Sequence, residues 1–215
     1  MRNLLIVIAS NRAQPNDSLF KNLAGFAARG TAIIHHVGTT DVALARNVSL
    51  TMAHAVLQQQ KHDMVLMLDD DMVFNDSHVN AILGAAAQSM RPTSACYVMA
   101  SGALAARRRN RKWLTGLGFL AIPSDVLCAL ADDSPRFKCP LDGAINQLEI
   151  IEFTGTRIVT HEDGTREWQG EDFVFCERLG GINLAPVSVG HLKPKVLQPS
   201  PDHIKAFLDE QEKLS

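Results

Sequence analysis

The chain has 215 residues and a mass of 23.5 kDa, enough to bury a full hydrophobic core as one domain without a disulfide or metal staple. Lys and Arg total 21 against 23 Asp and Glu, a formal net charge of -2, so no global positive field exists for gripping nucleic acid or an anionic membrane. Cys96, Cys128, Cys139 and Cys176 are widely spaced with no CxxC pair, and no stretch approaches the roughly 20 apolar residues that span a bilayer, so the expectation is a cytoplasmic protein with reduced thiols and no transmembrane segment.

The apolar run Leu4 to Ala9 is too short for a signal-peptide core and instead reads as a strand buried on both faces. A helix follows from Asp17 to Arg29, capped by Asp17 or Ser18, with Leu19, Leu23 and Phe26 at helical spacing and Gly30 beyond its end. Thr31 to Val37 reads as a second strand. Thr40 or Asp41 can cap a longer helix whose apolar stripe is Ala45, Val48, Met52, Ala55 and Val56, fading in Gln58-Gln59-Gln60-Lys61. Met64 to Leu68 is a third buried strand that runs into Asp69-Asp70-Asp71. A helix over Ser77 to about Met90 and a strand over Ala95 to Met99 complete the first half. Strands separated by helices predict right-handed crossovers and a mainly parallel sheet, with Ser10-Asn11, Val37-Gly38 and the aspartate triplet on one rim.

The second half is less regular. The basic run at residues 107–112 fits a mobile lid closing over a diphosphate, a surface that holds an anionic acceptor, or a solvated loop. Phe119 to Ile122 reads as a strand, Pro123 as the start of a helix to about Leu130, and residues 132–170 as short strands and loops. Glu171 to Leu179 reads as a helix stopped by Gly180-Gly181, followed by a strand near Ile182 to Val187, then His191. An amphipathic helix from about Asp202 to Lys213 ends the chain and leaves homodimerisation open.

Three adjacent aspartates after an apolar strand repel one another and raise one another's pKa unless a cation intervenes. They fit a hard divalent ion such as Mg²⁺ or Mn²⁺, or else a solvated acidic turn that caps the next helix. Glu171-Asp172 opens a helix, which the helix dipole alone can explain. Trp113 and Trp168 suit either sugar stacking or ordinary packing. His35-His36 and His161-Glu162-Asp163 are set aside as metal sites because of opposed side chains and an exposed turn.

Taken in order, these pieces resemble a known pattern. Leu68-Asp69-Asp70-Asp71-Met72 resembles the DxD element of GT-A glycosyltransferases, especially family 2-like bacterial and phage enzymes. Ala45-Arg46-Asn47 is similar to the "ARN" element on the preceding helix, residues 115–122 to the glycine-containing acceptor segment, Gly170 to Cys176 to the "GED-x-x-F-C" segment, and Gly190-His191 to the late metal-binding histidine. The resemblance spans about residues 3 to 195; the basic run is not part of the pattern.

The resemblance implies a single α/β domain of GT-A (Rossmann-like) type, with a mainly parallel central sheet flanked by helices. Residues 1–100 would bind a nucleotide-diphosphate sugar, residues 101–195 would form a small mixed acceptor and catalytic half, and residues 196–215 a helical tail. It implies metal ligation by Asp69, Asp71 and His191, donor binding by Ser10, Arg46, Asp69 and Asp70, and acceptor contacts at Gly116, Gly118 and Trp168. Arg46 would pair with the diphosphate or orient the aspartates. Asp172 would be the general base of an inverting transfer to a glycan or other hydroxyl acceptor, with Glu171 positioning the acceptor or the base, and Mn²⁺ or Mg²⁺ as cofactor.

Two other readings compete. Asp69-x-Asp71-x-Val73 also satisfies the "DxDx[TV]" signature of haloacid-dehalogenase-type phosphatases, although two strand–helix units precede it. A non-catalytic relative that binds a nucleotide sugar or glycan is the third.

Overall fold

The computed structural model describes residues 3–10, 17–37, 39, 41–99, 101–139, 148–192 and 196–213. In chain order the elements of the first half are β1 (Leu4–Ser10), α1 (Asp17–Ala28), β2 (Ala32–Val37), α2 (Val42–Gln59), β3 (Met64–Asp69), β4 (Met72–Val73), α3 (Asp76–Ser89) and β5 (Thr93–Cys96). The hairpin β6 (Ala106–Arg109) and β7 (Lys112–Thr115) follows, then β8 (Phe119–Pro123) and α4 (Ser124–Asp132). Two further hairpins, β9 (Arg136–Cys139) with β10 (Leu148–Ile151) and β11 (Arg157–Thr160) with β12 (Arg166–Gln169), lead to α5 (Glu171–Arg178). The chain closes with β13 (Asn183–Ser188), β14 (Gly190–Leu192), β15 (Val196–Leu197) and α6 (Pro201–Lys213).

Six strands form the central sheet in the order β13-β5-β8-β3-β1-β2. β1 is parallel to β2 and β3, and β13 is parallel to β5, whereas β8 lies antiparallel between β3 and β5. The sheet is therefore mainly parallel, and it is not divided at residue 100: β8 and β13, from the second half, complete it.

The continuous apolar runs follow from burial on both faces. Leu4, Ile6, Ile8, Leu66 and Leu68 pack with Leu19, Leu23 and Phe26 of α1 and Val79, Ile82 and Ala86 of α3. The alternate residues Leu5, Val7, Val65 and Met67 pack with Leu50 and Ala53 of α2, Leu127 of α4 and Phe175 of α5. These interdigitated layers exclude water and fix the register, so every strand ends at a defined rim.

Several sequence expectations need correction. The buried face of α2 is not the stripe through Met52, which is 45% exposed; Arg46, Asn47 and Ser49 are buried beside Ala45, Val48, Leu50 and Ala53. Polar side chains occupy the core-facing surface because partners await them there, which hydropathy spacing cannot register. The cap of α2 is Asp41, whose side chain accepts from the Leu44 N–H, while Asn11, Gly38 and Thr40 lie outside the described residues. α3 starts earlier than expected, with Asn75 as its cap, and β5 ends at Cys96.

The basic run is not an irregular loop. It is the β6–β7 hairpin, turned by Asn110 and Arg111 at φ 49° and 62°, the left-handed pair of a tight hairpin turn. Arg107 bonds Glu167 at 2.6 Å, and Arg109 lies 3.6 and 3.7 Å from Glu167 and Glu177, so these cations tie the hairpin to β12 and α5. The tail helix does not offer a free apolar face. Ile204 is buried, and with Phe207 and Leu208 it packs on Cys96, Val98 and Leu104. Trp113 sits over Phe207 at 5.7 Å, a packing role.

Candidate functional site

β3 delivers the three aspartates at its carboxyl end, and the turn into β4 points them to three different partners. Asp69 faces Arg46 of α2, with Oδ1 3.1 Å from Nη2. Asp70 accepts a hydrogen bond from the Ser10 hydroxyl at the end of β1. Asp71 lies 3.1 Å from His191 Nε2. This divergence relieves the repulsion that the sequence implied.

His191 reaches Asp71 through a backbone ladder. β14 pairs antiparallel with β4, matching His191 to Met72, and the Leu192 N–H donates to the Asp71 carbonyl at 2.7 Å. The other ring nitrogen, Nδ1, lies 2.9 Å from the Val98 carbonyl oxygen, which can only accept, so Nδ1 carries a proton. The Tyr97 ring meets the imidazole edge-on at 5.4 Å, fixing its orientation from the side.

Arg46 is the hub. Its side chain is only 5% accessible, and it pairs with Asp69, with Glu171 at 3.0 Å and with Asp172. Burial opposes its charge, but the carboxylates of Asp172, Asp69 and Glu171 more than compensate and hold its proton firmly. Glu171 and Asp172 stand in the first turn of α5, where the dipole favours acids, yet α5 has no side-chain cap: its two acids turn towards Arg46. Asn47, next along α2, donates to the Thr154 carbonyl at 2.8 Å and accepts from the Thr154 N–H at 2.9 Å. The Thr154 hydroxyl in turn donates to the Glu171 carbonyl. Adjacent residues of α2 thus hold the start of α5 through both side chains and backbone.

Asp172 sits at the floor of a concavity with 31% of its side chain accessible. Burial, reinforced by Asp69 and Glu171 and opposed by Arg46, pushes its carboxyl up to about 6. A carboxylate poised there can take a proton near neutral pH. The Tyr97 hydroxyl, raised well above the ordinary phenol value by burial and by Asp69 and Asp172, stays neutral. It accepts from the Gly118 N–H at 3.0 Å.

Ser10, Arg46, Asp69, Asp70, Asp71, Gly116, Asp172 and His191 all line one cleft of about 690 Å³ beyond the carboxyl ends of the parallel strands. Glu171 and Trp168 line an adjoining depression of about 230 Å³ that shares Asp172. Gly118 lies outside the lining, beneath it: a Cβ there would come 3.0 Å from Asp69 Oδ2 and 3.1 Å from the Tyr97 hydroxyl. At Gly116 the same atom would fall 2.1 Å from that hydroxyl. Both glycines permit close packing of the only tyrosine in the chain.

Among the described residues no group of three or more His, Cys, Asp or Glu side chains is gathered to hold a metal; Asp71 and His191 are together, while Asp69 is turned to Arg46. Sequence reasoning gave no role to Tyr97 or Thr154, and none individually to Asn47 and Phe173 within their matched segments. The close pair Gly116-x-Gly118 was the available signal for Tyr97, since such glycines mark close approach by a bulky neighbour.

Fold and cleft together define an α/β protein with a mainly parallel central sheet and a polar site at the strands' carboxyl ends. No family model matches the chain, and no curated protein matches it. Among solved structures it is similar to the crystal structure of A197 from STIV, with a TM-score of 0.54 and 17% identity over 94% of this chain and 92% of that one. At that identity the likeness bears on the fold alone. No helix among the described residues is long and apolar enough to cross a membrane.

Proposed function

We propose that the chain is a metal-dependent glycosyltransferase of the GT-A, family 2-like type, transferring a sugar from a nucleotide-diphosphate donor to an acceptor hydroxyl with inversion. One observation carries this reading: side chains as distant in sequence as Ser10, Asp69, Asp71, Asp172 and His191 converge on a single cleft.

The donor set suits a divalent ion. Mg²⁺ and Mn²⁺ are held by one or two side chains, with substrate phosphates and water completing the shell. Asp71 offers a carboxylate oxygen, and His191 an imidazole whose Nδ1 is anchored on the Val98 carbonyl, the outer contact that typically orients a ligating histidine. Asp71 and His191 would hold the ion, which when bound offsets the charge on the departing diphosphate. Asp172 accepts the proton of the acceptor hydroxyl as its oxygen attacks the anomeric carbon. Arg46 keeps Asp172, Glu171 and Asp69 in place, and Ser10 with Asp70 faces the nucleotide.

The phosphatase alternative would use Asp69 as nucleophile and Asp71 as general acid, and formation of an aspartyl-phosphate mimic with beryllium fluoride would favour it over transfer. A non-catalytic binder would lack the slow donor hydrolysis that Asp172→Asn should abolish with donor binding preserved. The test is a thermal-shift panel of UDP, GDP, CDP and dTDP, each with and without Mn²⁺. One nucleotide should stabilise only with metal, by about 2.7 kcal/mol at a hundred times its Kd. His191→Ala should abolish the metal dependence. Stabilisation by none of the four at millimolar concentration overturns the reading.

A further inference from the structure

The depression beside the main cleft is separated from it by a wall that belongs to both: Arg107, Asp172 and Phe173. Its outer side is Trp168, which is 67% exposed. Large indoles are normally well covered, as Trp113 is by Phe207. Trp168 faces Ile158 across the β11–β12 pair, and Ile158 is 57% exposed as well, so two apolar side chains stand side by side in solvent at the mouth of the site. Gly170 lets the indole lean towards α5: a Cβ there would sit 3.3 Å from the ring.

Polar groups surround this aromatic face. The Arg107 guanidinium lies 4.3 Å over the Phe173 ring and bonds Glu167 through Nη1, while Nε and Nη2 are buried. Glu167 and Glu171 supply carboxylate acceptors on the same lining. A flat apolar surface flanked by donors and acceptors complements a ring with one C–H face and a girdle of hydroxyls.

Charge and size narrow the ligand. Arg107 is outnumbered by Glu167, Glu171 and Asp172, and counting Arg46 with its partner Asp69, and Arg109 at 3.6 Å from Glu167, leaves four carboxylates against three cations. An anionic acceptor would enter against net like charge. A volume of about 230 Å³ is below the ≈300–1,000 Å³ of drug-sized sites, the scale of one ring.

We propose that this depression is the acceptor subsite and that it takes an uncharged sugar ring, stacked on Trp168 and hydrogen-bonded by Glu167 and Glu171, with one hydroxyl reaching Asp172. The inference deepens the transferase reading and rests on it for its catalytic meaning.

The test uses the full chain carrying Trp113→Phe, which leaves Trp168 as the sole indole. Methyl glycosides of glucose, galactose, mannose and N-acetylglucosamine are titrated by tryptophan fluorescence, alongside methyl glucuronide and glucose 6-phosphate, with and without the stabilising nucleotide and Mn²⁺. At least one neutral glycoside should give a saturable change, with a Kd about tenfold or more below that of either anionic sugar. Saturation-transfer NMR should show that binding is lost in Trp168→Ala and retained in Trp168→Phe. No saturable neutral glycoside under any condition, or an anionic sugar binding equally or more tightly, overturns the subsite. If nucleotide and metal still stabilise the chain in that case, the donor reading survives; if they do not, both fall together.

Discussion

Replacing Arg46 by methionine keeps most of the side-chain volume and removes the charge on which three carboxylates depend. Asp69 and Glu171 lie near 3 Å, where opposite unit charges attract by about 5 kcal/mol at an effective dielectric constant near 20. That gross figure is reduced twice. The guanidinium no longer has to be desolvated, and Asp69, Glu171 and Asp172 keep 22–31% of their side-chain surface accessible, so water can partly re-solvate them. Removing one partner of a buried ion pair typically costs about 3–5 kcal/mol, and this partial exposure places the expected loss near the lower end, about 3 kcal/mol at pH 8. The deficit should shrink at pH 5, because carboxyls without their cation take up protons more readily and protonation removes their repulsion. Urea unfolding at both pH values measures it. A loss below 1 kcal/mol at pH 8, or an equal loss at pH 5, would refute the claim that Arg46 acts through its charge. Arg46→Lys should recover only part of the stability, since one ammonium cannot reproduce a fork that serves carboxylates on two elements.

Donor turnover that uses Asp172 as base should rise as pH passes through about 6 and lose that limb in Asp172→Asn; a rate unchanged from pH 5 to 8 removes Asp172 from the role. Its carboxyl is raised above the unfolded value of 3.8, so the native chain binds the extra proton between those values, and the group's contribution to stability is lost as pH rises through that window. Asp172→Asn should therefore gain stability relative to the parent between pH 4 and 7, read as the difference in urea midpoints. Asn47→Ala leaves the N–H and carbonyl of Thr154 unpaired and should cost about 2–3 kcal/mol in urea unfolding; a loss under 0.5 kcal/mol would mean that water replaces the amide. Gly116→Ala drives a methyl into the Tyr97 hydroxyl and should cost about 1–3 kcal/mol, partly recovered by Tyr97→Phe in the same chain; an unchanged melting temperature contradicts the packing.

The two-sided burial of β1 and β3 was legible because a run such as Leu4-Leu5-Ile6-Val7-Ile8 has no polar face to turn outwards. The common rim followed from strand–helix alternation, and it correctly brought Ser10 to Asp70. α2 was misread for the opposite reason. Its buried face carries Arg46 and Asn47, whose burial depends on partners at Asp69, Thr154, Glu171 and Asp172, beyond the reach of any local window. The basic run was ambiguous because arginine density says nothing about partners; Glu167 and Glu177 arrive from β12 and α5. Likewise, nothing local to Phe119–Pro123 sets its direction, which follows from the route of the preceding β6–β7 hairpin.

The geometry also bears on the work of Arg46 in the cleft. Sequence alone left Arg46 two roles, holding a diphosphate or orienting the acids. Both of its terminal nitrogens are committed to Asp69, Glu171 and Asp172, so moving it to a phosphate would strand three carboxylates around a vacated cation. Orienting the acids is the role compatible with that cost. Asp70 and Asp71 instead meet Ser10 and His191. Asp71 and His191 are the pair that would hold a cation here, which is why metal-linked nucleotide binding, rather than nucleotide binding alone, is the discriminating measurement for this site.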